Sequence, residues 1–301
     1  MTEFLITGAG GALGSVMMRE LTETGRDSAG MISPHGAQPY AGAVWPADIT
    51  DPRTYRDRIV ALTPKVIVHC AAIAQPAEVF RNPDRARTVN VEATAVLLAY
   101  AEKVGARFVF ASTDLVFDGE EAPYAEDSTP EPLSMYGRTK LEAESYVLTY
   151  KRGLVVRFPL MYGLPEVTRK PTFFENMLTA LRAQQRLRLF TDETRSPLWL
   201  DDAARACVRA ASSELTGVMH LGGPERLSRF EMGERIVSAL GVSPGLIEPA
   251  SRSEIGHDEP RARDVSLDSS RYVAQFGEAP GRTMAESLAL ILTKPPNRLL
   301  S

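Results

Sequence analysis

Cysteine is scarce in this sequence, which has two among 301 residues, Cys70 and Cys207. Because small secreted domains depend on dense disulfides, this pair predicts two buried thiols in a reducing compartment.

An excess of charge of one sign is also missing, since the net charge is −4 at pH 7. Proteins that bind nucleic acid present a basic face, so we expect no nucleic-acid partner, whereas a small anionic ligand stays open.

Long apolar runs are missing as well. The longest, residues 66–74, contains His69 and is far shorter than the roughly 20 residues that a membrane-spanning helix needs. The chain passes from Met1 directly into an apolar stretch and a glycine-rich turn, which leaves no room for the parts of a signal peptide. We therefore expect a cytoplasmic protein with no membrane partner.

The first half of the chain alternates short β-branched runs with longer amphipathic stretches. This alternation is typical of β-α units on a parallel sheet. The predicted strands cover residues 3–7, 28–33, 43–48, 66–72, 107–113 and 154–159. The predicted helices cover residues 13–24, 54–62, 84–104 and 133–150. Five or six such units predict an α/β protein with a doubly wound parallel sheet, the Rossmann arrangement.

The rhythm of strands and helices changes after Gly163. We interpret residues 1–163 as a dinucleotide-binding domain, to which residues 198–222 return as one more helix and strand. Residues 164–197 and 223–301 then form a smaller α+β substrate lobe. The acidic, proline-bearing segment 117–134 is too long for a plain connection, so it is either a surface loop or, as its position favours, a lid over the strand ends.

A glycine-rich turn follows the first predicted strand. It contains Gly8, Gly11 and Gly14, with Ala12 and Leu13 at the start of the next helix. Glycine allows a tight turn and lets the backbone approach a pyrophosphate closely, and the N-terminus of the following helix attracts the anion. A plain turn is the alternative, but the order of strand, turn and helix favours a dinucleotide site.

The choice of dinucleotide depends on the end of the second strand. Proteins that bind NAD place an acidic side chain there for the ribose 2′-hydroxyl, and this chain has none. Ser33 and His35 could contact a 2′-phosphate instead, so we favour NADP(H) over NAD(H), although both side chains could equally face solvent. The other candidate cofactor contacts after the strands are Asp48, Ile49, Cys70, Ala71, Ala72 and, on the next helix, Asn90.

Tyr136 and Lys140 lie four residues apart on a predicted helix and therefore project from one face. Hydride reduction of a carbonyl leaves an alkoxide that needs a proton, and a tyrosine hydroxyl can supply it. A nearby ammonium would lower the tyrosine pKa from its ordinary value of about 10. An exposed pair on a solvated helix is the alternative. Thr113, at the end of a buried strand where such sheets bind ligands, favours the catalytic interpretation.

Around these residues the chain resembles the extended short-chain dehydrogenases/reductases, in their dTDP-4-dehydrorhamnose reductase-like branch. The resemblance lies in residues 111–119 (ASTDLVFDG) and 136–144 (YGRTKLEAE) and in the prolines and acidic residue between them. It implies that Thr113 contacts the substrate carbonyl, that Tyr136 donates the proton and that Lys140 binds the cofactor ribose and modifies the tyrosine pKa.

The same resemblance suggests where the substrate binds. Arg195 and Arg261 stand at positions similar to the diphosphate-binding arginines of enzymes that handle sugar nucleotides, and a guanidinium binds phosphate oxygens bidentately. Surface ion pairs are the alternative for both arginines. Asp114, next to Thr113, is a further candidate substrate contact. Together these residues predict an NADPH-preferring reductase of a nucleotide-activated 4-keto sugar.

Two positions depart from that branch, since Leu115 replaces a tyrosine and Leu160 a tryptophan. The acidic residues that the branch uses for magnesium are not evident, so we expect no metal. Residues 157–163, 230–232 and 260–270 also resemble the regulatory β subunit of methionine adenosyltransferase, which would bind NADP(H) and a partner enzyme and turn over little substrate. An NAD-dependent sugar-nucleotide epimerase is a third alternative. A homodimer fits the family.

Overall fold

The computed structural model describes residues 2–39, 42–167, 170–254 and 259–293. The strands are β1 (Phe4–Thr7), β2 (Ser28–Ile32), β3 (Ala43–Pro46), β4 (Val66–His69), β5 (Arg107–Thr113), β6 (Gly153–Phe158), β7 (Met161–Tyr162), β8 (Leu187–Phe190), β9 (Thr194–Arg195), β10 (Leu198–Trp199), β11 (Gly217–His220), β12 (Leu227–Ser228) and β13 (Ile247–Ala250). The helices are α1 (Ala12–Glu23), α2 (Arg56–Leu62), α3 (Pro76–Arg81), α4 (Pro83–Arg87), α5 (Ala93–Val104), α6 (Met135–Thr149), α7 (Phe173–Arg182), α8 (Leu200–Ala211), α9 (Arg229–Leu240), α10 (Ser270–Phe276) and α11 (Met284–Ile291).

A seven-stranded sheet forms the centre of the molecule, with strand order β11-β6-β5-β4-β1-β2-β3. Every neighbouring pair in it is parallel. The order reverses direction at β1 and β4, which is the switch point where doubly wound sheets open a crevice for a ligand. The predicted α/β fold with a doubly wound parallel sheet is therefore confirmed.

Alternating side chains of the strands are buried on opposite faces of the sheet. In β1, Phe4 and Ile6 belong to one apolar cluster and Leu5 to the other. In β5, Val109 faces the first cluster, whereas Phe108 and Phe110 face the second. Because both faces are covered, the strands are apolar at successive positions instead of alternating with polar residues.

The two clusters are covered by different helices. α1 and α8 pack together on the first face, while α2, α5 and α6 cover the second. The first cluster continues into the part of the chain after β7, where it includes Leu178 of α7 and Met232 of α9. This apolar core is continuous across residue 163. We therefore propose the two lobes as a division of function between cofactor and substrate binding.

Several elements differ from the sequence-based expectation. The predicted helix 84–104 is divided by a π-helical turn, Thr88–Glu92, and α3 was not predicted. The segment 117–134 packs on the second half of the chain, since the Phe117 and Tyr124 rings stack with centroids 4.0 Å apart and lie in a cluster with Leu267. Among the described residues, no helix is both long and apolar enough to cross a membrane.

A buried ion pair attaches α6 to the sheet. Glu144 of α6 is 1% exposed. Its carboxylate accepts hydrogen bonds from Arg157 of β6, with Nη2–Oε2 at 2.7 Å and Nε–Oε1 at 3.0 Å. The Ser112 hydroxyl of β5 donates to the same carboxylate, and Arg157 Nη1 lies 3.3 Å from His220 Nε2 of β11. The carboxylate thus fixes the helix directly to β5 and β6, and Arg157 extends the network to β11.

Glu144→Gln should lower the free energy of unfolding by about 3–5 kcal/mol, because Arg157 would stay buried without its counter-charge. Urea denaturation measures the change. Glu142→Gln is the matched control on the same helix, since Glu142 forms an exposed ion pair with Arg87 that contributes about 0–1 kcal/mol. Equal losses in both variants would contradict the anchoring role of Glu144.

Candidate active site

A cleft of about 660 Å³ lies at the carboxyl ends of the strands around the switch point. The predicted cofactor contacts that line it are Gly8, Gly11, Ser33, His35, Asp48, Ile49, Cys70, Ala71 and Ala72. These residues come from turns after four different strands, so the parallel sheet brings them to one edge. The cleft lies at the edge of the sheet where the sequence predicts a dinucleotide site.

The glycines of the first turn fit a pyrophosphate. Gly8 has φ +67°, and a Cβ there would lie 2.7 Å from the Ala71 nitrogen. At Gly14 a Cβ would lie 2.2 Å from the Gly8 carbonyl oxygen. Gly11 caps α1 without a side chain, so the N–H groups of Ala12 and Leu13 in the first helical turn have no intrahelical acceptor and can bind an anion.

Asn90 lies behind the cleft. Its side-chain oxygen accepts a hydrogen bond from the Ile73 backbone N–H at 2.8 Å, and its Nδ2 donates to the Ile73 carbonyl at 3.1 Å and to the Thr139 hydroxyl at 3.1 Å. Because Thr139 belongs to α6, the amide joins the wall of the cleft to the helix that carries Tyr136. Asn90 sits in the π-helical turn, a feature that often marks functional sites.

Sequence reasoning missed two cations of this cleft. Arg85 of α4 and Lys170 line the same cleft as Ser33 and His35. Lys170 Nζ additionally pairs with Glu78 at 3.3 Å. Neither residue stands at the end of a central strand, so no local pattern indicates that it reaches the cofactor side.

α6 begins directly beside the end of β5. The Ser134 hydroxyl caps the helix by accepting from the Gly137 N–H at 3.1 Å. A Cβ at Gly137 would lie 2.1 Å from the Leu115 carbonyl oxygen, so only glycine lets the helix approach the turn after β5 this closely. The first turn of α6, with Tyr136, is thereby held against the residues that follow Thr113.

Lys140 is 2% exposed, and its ammonium lies 3.9 Å from the centroid of the Phe110 ring. Burial lowers the pKa of Lys140 to about 7, although Cys70 and Glu144 oppose the shift. The interaction with Cys70 places Lys140 beside the cofactor cleft, because Cys70 lines the wall of that cleft. Near neutral pH Lys140 is therefore close to its titration point.

His69 lies beneath Lys140 and is neutral. It is fully buried, and its ring nitrogens lie 2.6 Å from the Thr7 hydroxyl and 2.9 Å from the Thr94 hydroxyl. Burial and the Lys140 charge lower the pKa of His69 to about 3. Because His69 carries no charge at neutral pH, it does not repel a protonated Lys140.

Tyr136 differs from the expectation in its electrostatics. Burial raises the pKa of its hydroxyl, and Asp114 raises it further. Desolvation therefore dominates in the cofactor-free chain, and the lowering of this pKa that the sequence predicts does not occur there. Tyr136 is consequently fully protonated at neutral pH and can act as a proton donor.

Thr113 and Asp114 form part of a hydrogen-bonded network. The Thr113 hydroxyl donates to Asp114 Oδ1 at 3.2 Å and accepts from the Leu115 N–H at 3.2 Å. Asp114 Oδ2 accepts from Arg195 Nη1 at 3.2 Å. Burial raises the pKa of Asp114, while Arg195 opposes the shift. Asp114 thus joins the residue predicted to contact a carbonyl to a residue predicted to contact a diphosphate.

A second cavity, of about 210 Å³, is lined by residues that lie close to Thr113 and Tyr136 in the sequence, among them Leu115 and Ser134. Its lining residues are Pro76, Ala77 and Phe80 of α3, then Leu115, Phe117, Leu133, Ser134, Arg195, Glu259, Pro260, Arg261 and Ala262. Arg195 and Arg261 meet here although they are far apart in the chain. Of the two departures from the family pattern, Leu115 lines the cavity, whereas Leu160 packs against the main apolar cluster.

Comparison with known proteins gives one family. The model of the RmlD substrate binding domain matches residues 1–294. The chain is 32% identical over 279 residues to methionine adenosyltransferase 2 subunit beta of Danio rerio, which covers 89% of this chain and 83% of that protein. It is 29% identical over 276 residues to the probable low-salt glycan biosynthesis reductase Agl14 of Haloferax volcanii, covering 90% and 91% of the two chains.

Solved structures agree with this result. The crystal structure of a hypothetical dTDP-4-dehydrorhamnose reductase from Sulfolobus tokodaii superposes with a TM-score of 0.82 at 27% identity, covering 95% of this chain and 98% of that one. The similarity therefore extends over both the sheet and the part of the chain that completes the second cavity.

NADPH binding should become weaker as the pH rises above about 7. Lys140 is neutral above that pH in the free chain, and the negative charge of a bound cofactor would raise its pKa, so binding takes up a proton. The dissociation constant should then rise by up to about tenfold per pH unit.

Calorimetry at pH 8 in two buffers of different ionisation enthalpy counts the protons taken up. Lys140→Met should abolish the uptake, and Lys151→Met, at an exposed lysine, should leave it intact. A dissociation constant that stays constant between pH 7 and 9 would contradict the assignment.

Proposed function

We propose that this chain, which belongs to the RmlD substrate-binding-domain family of extended short-chain dehydrogenases/reductases, is an NADPH-preferring reductase of a nucleotide-activated 4-keto sugar. The proposal is supported by one observation: Leu115 and Ser134, each two residues from Thr113 or Tyr136, line the cavity of Arg195 and Arg261, whereas Lys140 interacts with Cys70, which lines the cofactor cleft. A reductase needs its proton donor at the place where cofactor and substrate meet.

The bound cofactor would supply a hydride to the carbonyl carbon. Tyr136 donates its hydroxyl proton to the carbonyl oxygen as negative charge develops there, and the phenolate regains a proton from solvent afterwards. The raised pKa of Tyr136 keeps its hydroxyl protonated before the reaction. Lys140 in its ammonium form stabilises the phenolate, and Thr113 hydrogen-bonds the carbonyl oxygen and orients it.

The class of substrate is supported by the charge of the second cavity. Arg195 and Arg261 bring two guanidinium groups to its wall in a chain whose net charge is −4. Guanidinium groups bind phosphate oxygens bidentately, which suits the diphosphate of a nucleotide sugar. Leu115 makes the neighbouring wall apolar, so we propose that the sugar differs from the one that the tyrosine-bearing branch reduces.

The preference for NADPH is supported by the composition of the cofactor cleft. Ser33, His35, Arg85 and Lys170 all line the cleft, and no acidic residue directly follows β2. A 2′-phosphate carries negative charge that cationic and hydroxyl side chains stabilise, whereas NAD-binding proteins place a carboxylate at this position.

Tyr136→Phe should reduce the turnover number by a factor of about 100 or more, because it removes the general acid, and should leave NADPH affinity nearly unchanged. Steady-state oxidation of NADPH with a 4-keto nucleotide sugar measures the rate. Tyr146→Phe is the matched control on the same helix, since Tyr146 is 42% exposed and should retain full activity. Unchanged turnover in the Tyr136 variant would refute the catalytic assignment.

A second candidate function is favoured by the 32% identity to methionine adenosyltransferase 2 subunit beta. In this alternative the chain binds NADP(H) and a partner enzyme and turns over little substrate. Two results would support it together: NADPH binding without oxidation across a panel of 4-keto nucleotide sugars, and a stable complex with the adenosyltransferase catalytic subunit in size-exclusion chromatography.

An epimerase would instead keep NAD bound and interconvert sugar nucleotides without net oxidation of cofactor.

A further inference from the structure

Three arginines converge on one buried carboxylate behind the second cavity. Glu193, between β8 and β9, is fully buried. Its Oε2 accepts from Arg261 Nε at 2.7 Å, and its Oε1 accepts from Arg229 Nε at 3.1 Å and from Arg195 Nη2 at 3.5 Å. With Asp114, which binds Arg195 from the other side, these residues form what we name the Glu193 cluster.

The Glu193 cluster contains more positive than negative charge. Its guanidinium groups number three and its carboxylates two, so it carries a net charge of +1. The three arginines lower the pKa of Glu193 to about 2 even though burial acts in the opposite direction. Two of its donors, Arg195 Nε and Arg229 Nη1, are buried without a hydrogen-bond partner among the described residues. The cluster is therefore electrostatically suited to an added anion.

Each arginine is also restrained by its surroundings. The Arg229 guanidinium lies 4.4 Å from the centroid of the Phe173 ring, and that of Arg261 lies 5.4 Å from the centroid of the Phe190 ring. Arg229 is the first residue of α9, Arg195 ends β9, and Arg261 comes from a separate segment. Glu193 is thus the one group of the described residues that contacts all three side chains and so fixes their relative positions.

We propose that Glu193 is a positioning residue, which holds Arg195 and Arg261 in the cavity wall with Arg229 as its third anchor, so that the substrate's diphosphate meets guanidinium groups already in place. This inference rests on the proposed function, because it assigns a role within the same substrate site. A guanidinium held in place loses less side-chain entropy when the anion binds, and the anion is bound more tightly for that reason.

Two roles of Glu193 predict opposite results. If the carboxylate only neutralised charge, its removal would raise the positive charge of the cavity and strengthen anion binding. If it positions the arginines, its removal lets them separate by mutual repulsion, and anion binding weakens. The sign of the change in affinity therefore distinguishes the two roles.

The test measures the dissociation constants of dTDP and UDP by calorimetry, with NADPH present. Glu193→Gln should raise the dissociation constant of the nucleotide that the wild type binds by about tenfold or more, and should raise KM for the 4-keto nucleotide sugar far more than it changes kcat. NADPH affinity should stay within about twofold, which also reports that the variant is folded. An unchanged or lower dissociation constant for the nucleotide would overturn the proposal.

Glu193→Asp keeps the negative charge of the carboxylate and shortens the side chain by one methylene group. It therefore changes the positions of the arginines without changing the net charge of the Glu193 cluster. It should weaken nucleotide binding by several-fold, and binding as tight as in the wild type would overturn the proposal. Glu248→Gln is the matched control, since Glu248 in the neighbouring β13 forms an exposed pair with Arg186. It should bind the nucleotide like the wild type.

The outcome for the wild type separates this inference from the proposed function. If the wild-type chain binds neither dTDP nor UDP, the sugar-nucleotide function fails and the role of Glu193 fails with it. If the wild type binds one of them and the Glu193 variants bind it equally well, the function stands and only the positioning role is refuted.

Discussion

The ion pair between Glu144 and Arg157 ties the helix with Tyr136 and Lys140 to three strands of the central sheet. A buried pair of this kind adds little net stability over an apolar contact, but it requires one geometry, because a displaced partner leaves a charge in a low-dielectric interior. The angle of α6 relative to the end of β5 is set in this way. The distances among Thr113, Tyr136 and Lys140, and hence the proposed chemistry, depend on it.

Burial explains the electrostatics of the candidate site. The same desolvation lowers the pKa of Lys140, raises that of Tyr136 and keeps His69 neutral beneath them. These shifts leave the proposed acid protonated and the lysine close to its titration point near neutral pH. Behind the second cavity the carboxylate of Glu193 stays charged for the opposite reason, because three guanidinium groups outweigh its desolvation.

The two cavities also divide recognition between different kinds of group. The glycine turn contributes backbone to the cofactor cleft, since a Cβ at Gly8 would lie 2.7 Å from the Ala71 nitrogen. The second cavity is built from long side chains, Arg195 and Arg261, that need external restraint. Leu115, where the sequence departs from the reductase branch that it resembles, also lines this second cavity.

The amino-acid sequence by itself determined the elements whose signals are local. The order of strand, glycine turn and helix at Gly8–Gly14 predicted the first unit, and the boundaries of β5 agree with the predicted residues 107–113. The i, i+4 spacing of Tyr136 and Lys140 likewise put both on one helix face. A pattern of this kind depends on the backbone period alone, so it needs no knowledge of distant contacts.

Only the tertiary structure decided which distant residues meet. Nothing in the spacing along the chain indicates that Glu193 binds Arg229 and Arg261, or that Arg85 reaches the cofactor cleft. The direction of the Tyr136 pKa shift was also a matter of tertiary structure, because desolvation depends on the atoms packed around a group and not on its neighbours in sequence. The pKa values and hydrogen-bond partners of the charged and hydroxyl groups depend on that packing, which exists only in the folded chain.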